Sequence, residues 1–195
     1  MCGRYVISLS EAEMQALFDR IARRDPQAPV HAGEIFPTDT APVLIQGANG
    51  LGVRPCVWGF PAPASGGVII NARAESVEER AMFRGAFFRA RCIVPCSGFY
   101  EWTHGAAPKQ KFLFRESGRP SMYLAGLRAA FSGRERFVIL TTQANDSMAP
   151  VHSRMPVFLA REERRAWLED LDFARLKLTA PLPALERIPV SNSGM

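Results

Sequence analysis

Arg91-Cys92-Ile93-Val94-Pro95-Cys96-Ser97-Gly98-Phe99-Tyr100-Glu101-Trp102 decides the fold class. Residues 92–95 and 98–102 are β-branched and aromatic runs, each too short for a helix, around a turn. The same grammar continues downstream, with strands expected over 111–115, 122–127, 136–141 and 155–159 and a closing strand over 185–190. Upstream, residues 4–8 read as a strand, and 43–46 and 51–58 flank Ala48-Asn49-Gly50, a hairpin signal. Residues 61–67 read as a loop of Pro, Ala, Ser and Gly, and 68–71 as a short buried strand that delivers Asn71. Helices are fewer. Ser10 with Glu13 predicts a capping box, and Met14, Leu17, Phe18 and Ile21 recur at helical spacing behind it. Residues 76–91 read as a helix broken near Gly85, and 161–170 as a short helix with Trp167 and Leu168 inward. Residues 143–150 are polar and loop-like. The pattern predicts an α+β fold. It is one domain over residues 1–195, mainly antiparallel strands in a barrel-like or two-sheet core with peripheral helices.

Composition narrows the class. The chain has 195 residues, 47% hydrophobic and 22% charged, ordinary for a soluble globular protein. No apolar run approaches a membrane span, and no basic-then-apolar signal pattern opens the chain, so a cytoplasmic protein is expected. Free thiols are then expected of Cys2, Cys56, Cys92 and Cys96, buried and structural in all but Cys2. Their spacing and the scattered histidines make a poor zinc pattern, and no metal or cofactor is expected. The net charge of +5 is carried by arginine, which pairs bidentately with phosphate.

Met1-Cys2-Gly3-Arg4 holds the most reactive combination in the chain. Loss of Met1 would leave Cys2 with a free α-amine and a thiol on adjacent carbons. An α-amine titrates near 7.7–8.0 against about 10.4 for lysine, so roughly a third is neutral near pH 7.4. The neutral amine attacks carbonyls, and the thiol can close a five-membered ring on the imine. Many chains begin Met-Cys by chance, and taken alone that is the stronger reading.

Other residues carry two readings each. Glu101, within an aromatic segment, either points to solvent by strand alternation, the stronger reading on sequence alone, or is buried and suits proton transfer. His152, between a polar loop and a strand, is structural or half of a Cys/His pair. Asn71 caps a turn or orients a reacting group; Arg73 pairs with Glu75 or contacts phosphate. Trp58 and Trp102 are core residues or base-stacking platforms.

Met1-Cys2-Gly3-Arg4, Trp58-Gly59-Phe60, Ile70-Asn71-Ala72-Arg73-Ala74-Glu75, Arg91-Cys92-Ile93-Val94-Pro95, Gly98-Phe99-Tyr100-Glu101-Trp102, Ala125-Gly126-Leu127, Leu140-Thr141-Thr142 and His152-Ser153-Arg154-Met155-Pro156 fall in one order. Together they give a chain that resembles the SOS response-associated peptidase (SRAP) family over nearly its whole length. The family includes sensors of abasic sites in single-stranded DNA. The resemblance implies that Met1 is removed and that Cys2 condenses with the aldehyde of an abasic deoxyribose to a thiazolidine crosslink. It implies that Asn71 holds Cys2, that Glu101 moves protons beside the Cys2 amine, and that His152 assists sugar-ring opening and crosslink reversal. Arg4, Arg73 and Arg154 would hold phosphates, Trp58 and Trp102 would pack against DNA, and Thr141 would hydrogen-bond the sugar or Cys2. The implied partner is single-stranded DNA with abasic sites, met by a monomer that associates with the nucleoid when bound. The rival activities are a thiol peptidase or amidase using Cys2 and His152, and a non-catalytic single-strand binding module. The chain departs from longer members in a short loop between Trp58 and Val68 and in lacking their Asn-Ala-Pro segment before Phe36-Pro37.

Overall fold

In the computed structural model, residues 2–48, 50–62, 66–103 and 109–191 are described. The expected loss of Met1, the hairpin-tip Asn49, residues 63–65 of the expected loop and His104 lie outside them.

Five strands close into a barrel. Thr40–Gly47 and Gly50–Trp58 form the expected hairpin, antiparallel along its length. Gly50–Trp58 pairs in parallel with Arg134–Gln143, which runs antiparallel to Met122–Phe131. Met122–Phe131 pairs with Arg91–Cys96, and Leu44 opposite Ile93 completes the ring. Val43, Val94, Leu124, Leu127, Phe137 and Ile139 are fully buried in the core around it. Beside the barrel lies an open sheet, in order Leu185–Val190, Lys111–Glu116, Gly98–Trp102, Tyr5–Ile7, Gly33–Ile35. The two strands read on either side of Ser97 thus belong to different sheets, and the chain passes at that turn from barrel to open sheet.

Trp58 sits where the layers meet. Its indole stacks on Phe137 at 6.2 Å, tilts against Tyr5 at 5.1 Å and donates to the Ile70 carbonyl at 3.0 Å. Gly59 follows at φ +112°, and a Cβ there would stand 2.9 Å from that of Val68, so glycine is required in this bend.

The helices differ most from expectation. The first runs Ala12–Ala22 and buries Met14, Leu17 and Ile21, but no capping box forms. Glu13 instead accepts from Tyr123 Oη and from Arg164. These tertiary partners outcompete a local cap worth about 1 kcal/mol. The segment read as one helix over 76–91 is a 3₁₀ turn, Ala74–Ser76, then a helix, Ala81–Arg89, that passes through Gly85 unbroken. The expected buried strand over 68–71 is two half-buried pieces, Val68–Ile69 and Asn71–Arg73, in different sheets. Residues 155–159 likewise divide into Arg154–Pro156 and Phe158–Leu159. Leu171–Thr179, not expected at all, is a helix capped by Asp170, whose carboxylate accepts from the Asp172 and Phe173 amides. Among the described residues no helix is long and apolar enough to cross a membrane.

Arg91 ends two helices at once. Its guanidinium, 7% exposed as part of the residue, donates to Phe87 O at 2.8 Å, Trp167 O at 2.6 Å and Leu168 O at 3.1 Å. These carbonyls are the open ends of Ala81–Arg89 and Arg164–Glu169, where a cation is favoured. Arg91→Met keeps the volume and strands the carbonyls in the core, at about 1–3 kcal/mol each. The expected loss is about 3 kcal/mol or more in a urea melt; an unchanged midpoint would show that the two helix ends do not depend on this side chain.

Candidate active site

Strand pairing brings distant segments to one edge of the barrel. Asn71–Arg73 runs parallel to Arg134–Gln143 on one side, with Arg73 opposite Thr141. Arg154–Pro156 runs antiparallel on the other, with Pro156 opposite the same Thr141. Asn71 and Arg73, two residues apart, face the same way, while Ala72 between them is buried. A cleft of about 690 Å³ opens there, lined by Asn71, Arg73, Glu75, Arg80 and Arg154 on its polar side and by Ile69, Met82 and Phe83 on its apolar side.

Cys2 lies behind Asn71. The Asn71 amide Nδ2 donates to the Cys2 carbonyl at 3.0 Å, so one side chain both lines the cleft and holds Cys2. The Cys2 thiol is fully buried and points at the Arg4 carbonyl, 3.8 Å away. Burial, then the nearby Glu101 and Cys96, push the thiol well above the ordinary range. All four cysteines are free and buried, Cys2 included, against its expected exception.

Glu101 is buried, 5% exposed, and the solvated reading gives way. The alternation argument is sound but its phase is the reverse: Phe99 and Glu101 face inward, while Tyr100 and Trp102 are half-buried on the other face. The carboxylate therefore sits between sheet and barrel, close enough to the Cys2 thiol to raise it.

His152 is half-buried on the Arg154 side. Its Nδ1 accepts from the Arg154 backbone N–H at 2.9 Å. The same Nδ1 lies 3.2 Å from the Arg154 carbonyl, so the backbone of Arg154 fixes the orientation of the ring.

The expected DNA contacts divide. Trp102 keeps part of its ring at the surface, against the guanidinium of Arg4 at 5.0 Å and the ammonium of Lys111 at 5.7 Å. Trp58 has no exposed surface, so its expected packing against DNA is corrected to a core role. Thr141 is fully buried as well, and its carbonyl accepts from Arg154 Nη2 at 2.6 Å, so it positions an arginine and offers no surface to a sugar. Arg4 pairs with Glu34 at 3.1 Å and stacks on Phe36, 4.2 Å from the ring centroid. Glu75 is the carboxylate of Arg154, not of Arg73. It is bound bidentately at 2.6 and 2.8 Å. Arg73 is exposed and makes no ion pair among the described residues.

Sequence reading missed Arg80 and Phe36. Arg80 follows Glu78 and Glu79 and looks like one more solvated charge, yet it lines the cleft. Phe36 is an exposed aromatic, 41%, on a turn closed by Asp39 N–H to Phe36 O at 3.1 Å. The turn holds Thr38 at φ +77°, a strained value for a β-branched residue.

A family model described as SOS response associated peptidase (SRAP) matches residues 1–193. YoqW of Bacillus subtilis, an abasic site processing protein, is 30% identical over 181 residues, spanning 86% of this chain and 80% of that one. YedK of Escherichia coli, of the same description, is 29% identical over 177 residues, spanning 86% and 79%. A phage-related protein of Bordetella bronchiseptica shares 27% identity and superposes with a TM-score of 0.72 over 97% of this chain and 94% of that one. A Bacteroides thetaiotaomicron protein superposes with a TM-score of 0.78 over 98% and 93%, at 22% identity, a likeness of fold. The ordered motifs, the fold and the match along almost its entire length agree: this chain belongs to the SRAP family.

Proposed function

We propose that this protein binds single-stranded DNA and captures abasic sites covalently through Cys2 once Met1 is lost. The observation that carries the proposal is the hold of Asn71 on the Cys2 carbonyl at 3.0 Å, which sets an aminothiol against an arginine-lined cleft. The relatives' description as abasic site processing proteins supports the same substrate.

The chemistry balances without a cofactor. The neutral amine of Cys2 adds to C1′ of the open-chain deoxyribose, and loss of one water gives an imine. The thiol then adds across the C=N bond: sulfur bonds to C1′, its proton goes to nitrogen, and a thiazolidine closes. Amine attack comes first because burial keeps the sulfur protonated. Glu101 takes and returns protons at the nitrogen. His152 donates a proton to the sugar-ring oxygen as the cyclic form opens. Lyase-type and Met1-processing activities belong to the same proposal.

The raised thiol counts against a turnover peptidase, whose nucleophile needs a lowered pKa beside a cation or a histidine. The test is incubation with a single strand bearing one abasic site. A denaturation-resistant band is expected from that strand and none from the intact one; equal non-covalent binding to both, with no band, would leave only a binding module.

Arg73 is a cation of the cleft open to a phosphate. Binding to intact strands should be indifferent to sequence and weaken with salt at about −0.7 in log–log slope per phosphate neutralised. Arg73→Ala should flatten the slope by about that amount on two unrelated strands alike. An unchanged slope would make Arg73 a neighbour of Glu75 and nothing more.

A further inference from the structure

Glu75 holds the better half of an arginine. Arg154 sends Nη1 to Oε1 and Nη2 to Oε2 of Glu75, and spends the remaining Nη2 donor on the Thr141 carbonyl. The Arg154 side chain is 17% exposed and that of Glu75 51%, so the carboxylate is the outer member of the pair and stands on the cleft wall. The hydrogen bonds from Arg154, and then the charges of Arg154 and Arg73, hold the Glu75 carboxyl below the usual carboxylate range, so it is ionised at any working pH. A fork on two oxygens is also how arginine grips phosphate.

We infer that Glu75 is a specificity-determining residue that occupies the phosphate-binding fork of Arg154 and so limits the affinity of the cleft for any DNA backbone. The inference rests on the function proposed above and adds what that function requires of selectivity. Backbone contacts carry no information about the base or its absence. Each one strengthens binding to intact strands, present in vast excess, as much as to damaged ones. A carboxylate already seated on Arg154 lowers this shared affinity and leaves the aldehyde reaction at Cys2 to discriminate. Arg73 and Arg80, outside the pair, supply the remaining positive charge of the cleft.

The prediction runs opposite to that for a structural salt bridge. Glu75→Gln keeps size and polarity and removes the charge. Its binding to an intact single strand should tighten about three- to tenfold at low salt, and the log–log slope should steepen by about 0.7, one further phosphate neutralised. Glu75→Asp, which keeps the charge, should hold the wild-type slope. An intact competitor strand should suppress capture of an abasic strand by Glu75→Gln at correspondingly lower concentration. Should the glutamine variant melt early, Glu75→Thr supplies a second neutral side chain, judged by the same slope. Weaker binding or an unchanged slope in a folded neutral variant would overturn the role of Glu75 alone, provided wild type still binds and crosslinks. A wild-type protein that holds no strand would overturn the proposed function, and this inference with it.

Discussion

Cys2→Ala is expected to abolish stable crosslinking to abasic single strands. No other residue can replace the aminothiol, because ring closure needs nitrogen and sulfur on adjacent carbons of one residue. The remaining thiols cannot substitute: Cys56, Cys92 and Cys96 are internal, and the nitrogen beside each is a peptide amide that does not condense with an aldehyde. The variant should still lose Met1, since alanine is also small, and would present an ordinary α-amine. It should therefore form an imine that borohydride traps and that heat or denaturant otherwise releases. Two measurements check the prediction: intact mass for the missing methionine, and a denaturing gel with and without reductant. A wild-type yield of reductant-independent crosslink from Cys2→Ala would end the thiazolidine mechanism. Binding to intact strands should change little, because the proposed backbone contacts are cleft side chains and not the thiol.

Much of this arrangement was legible in the sequence, and what was not has physical causes. The strands were legible because their residues are β-branched and aromatic and their ends are marked by Pro and Gly. The hairpin of Thr40–Gly47 with Gly50–Trp58 was legible because its partners are adjacent in the chain. A barrel-like core was expected, but the pairing that closes it was not legible. Closure depends on the parallel pairing of Arg136 with Val57 and Phe137 with Trp58, and no local signal reports a pairing between segments so far apart. On sequence Trp58 reads as core or as a stacking platform, and only the resemblance puts it against DNA; its burial follows from Phe137 and Tyr5 meeting it from two sheets. For the site, residue identities came from ordered motifs, but partners did not. The pairing of Glu75 with Arg154 rather than Arg73 is set by the two strands that flank Thr141. The phase of Gly98–Trp102 was open because both faces of that strand carry aromatic rings. Only the seating of the open sheet against the barrel decides that Glu101 goes inside.

That burial gives Glu101→Gln the second large effect. A carboxylate at this depth is retained only where its charge or its proton is used, since an apolar residue of that size would cost less to bury. The amide keeps the shape and the hydrogen-bonding oxygen but cannot cycle a proton. The imine step needs a proton removed from the attacking amine and one delivered to the departing water, so removal of the base should slow capture by about 10²–10⁴-fold. Affinity for intact strands should not move, because Glu101 is buried and is not part of the cleft wall. The substitution also removes a negative charge that, after burial, contributes to the raised thiol of Cys2. The thiol should then titrate lower, and its alkylation at fixed pH should speed up while crosslinking slows. Those opposite changes separate a proton-transfer role from a merely structural one, which would slow both through misfolding or neither. His152→Ala supplies the contrast: it should spare thiol alkylation and slow the release of a formed crosslink onto fresh abasic DNA. Single-turnover crosslinking and thiol alkylation across pH 6 to 9 decide the matter, and equal crosslinking rates for wild type and Glu101→Gln would remove the carboxylate from the reaction.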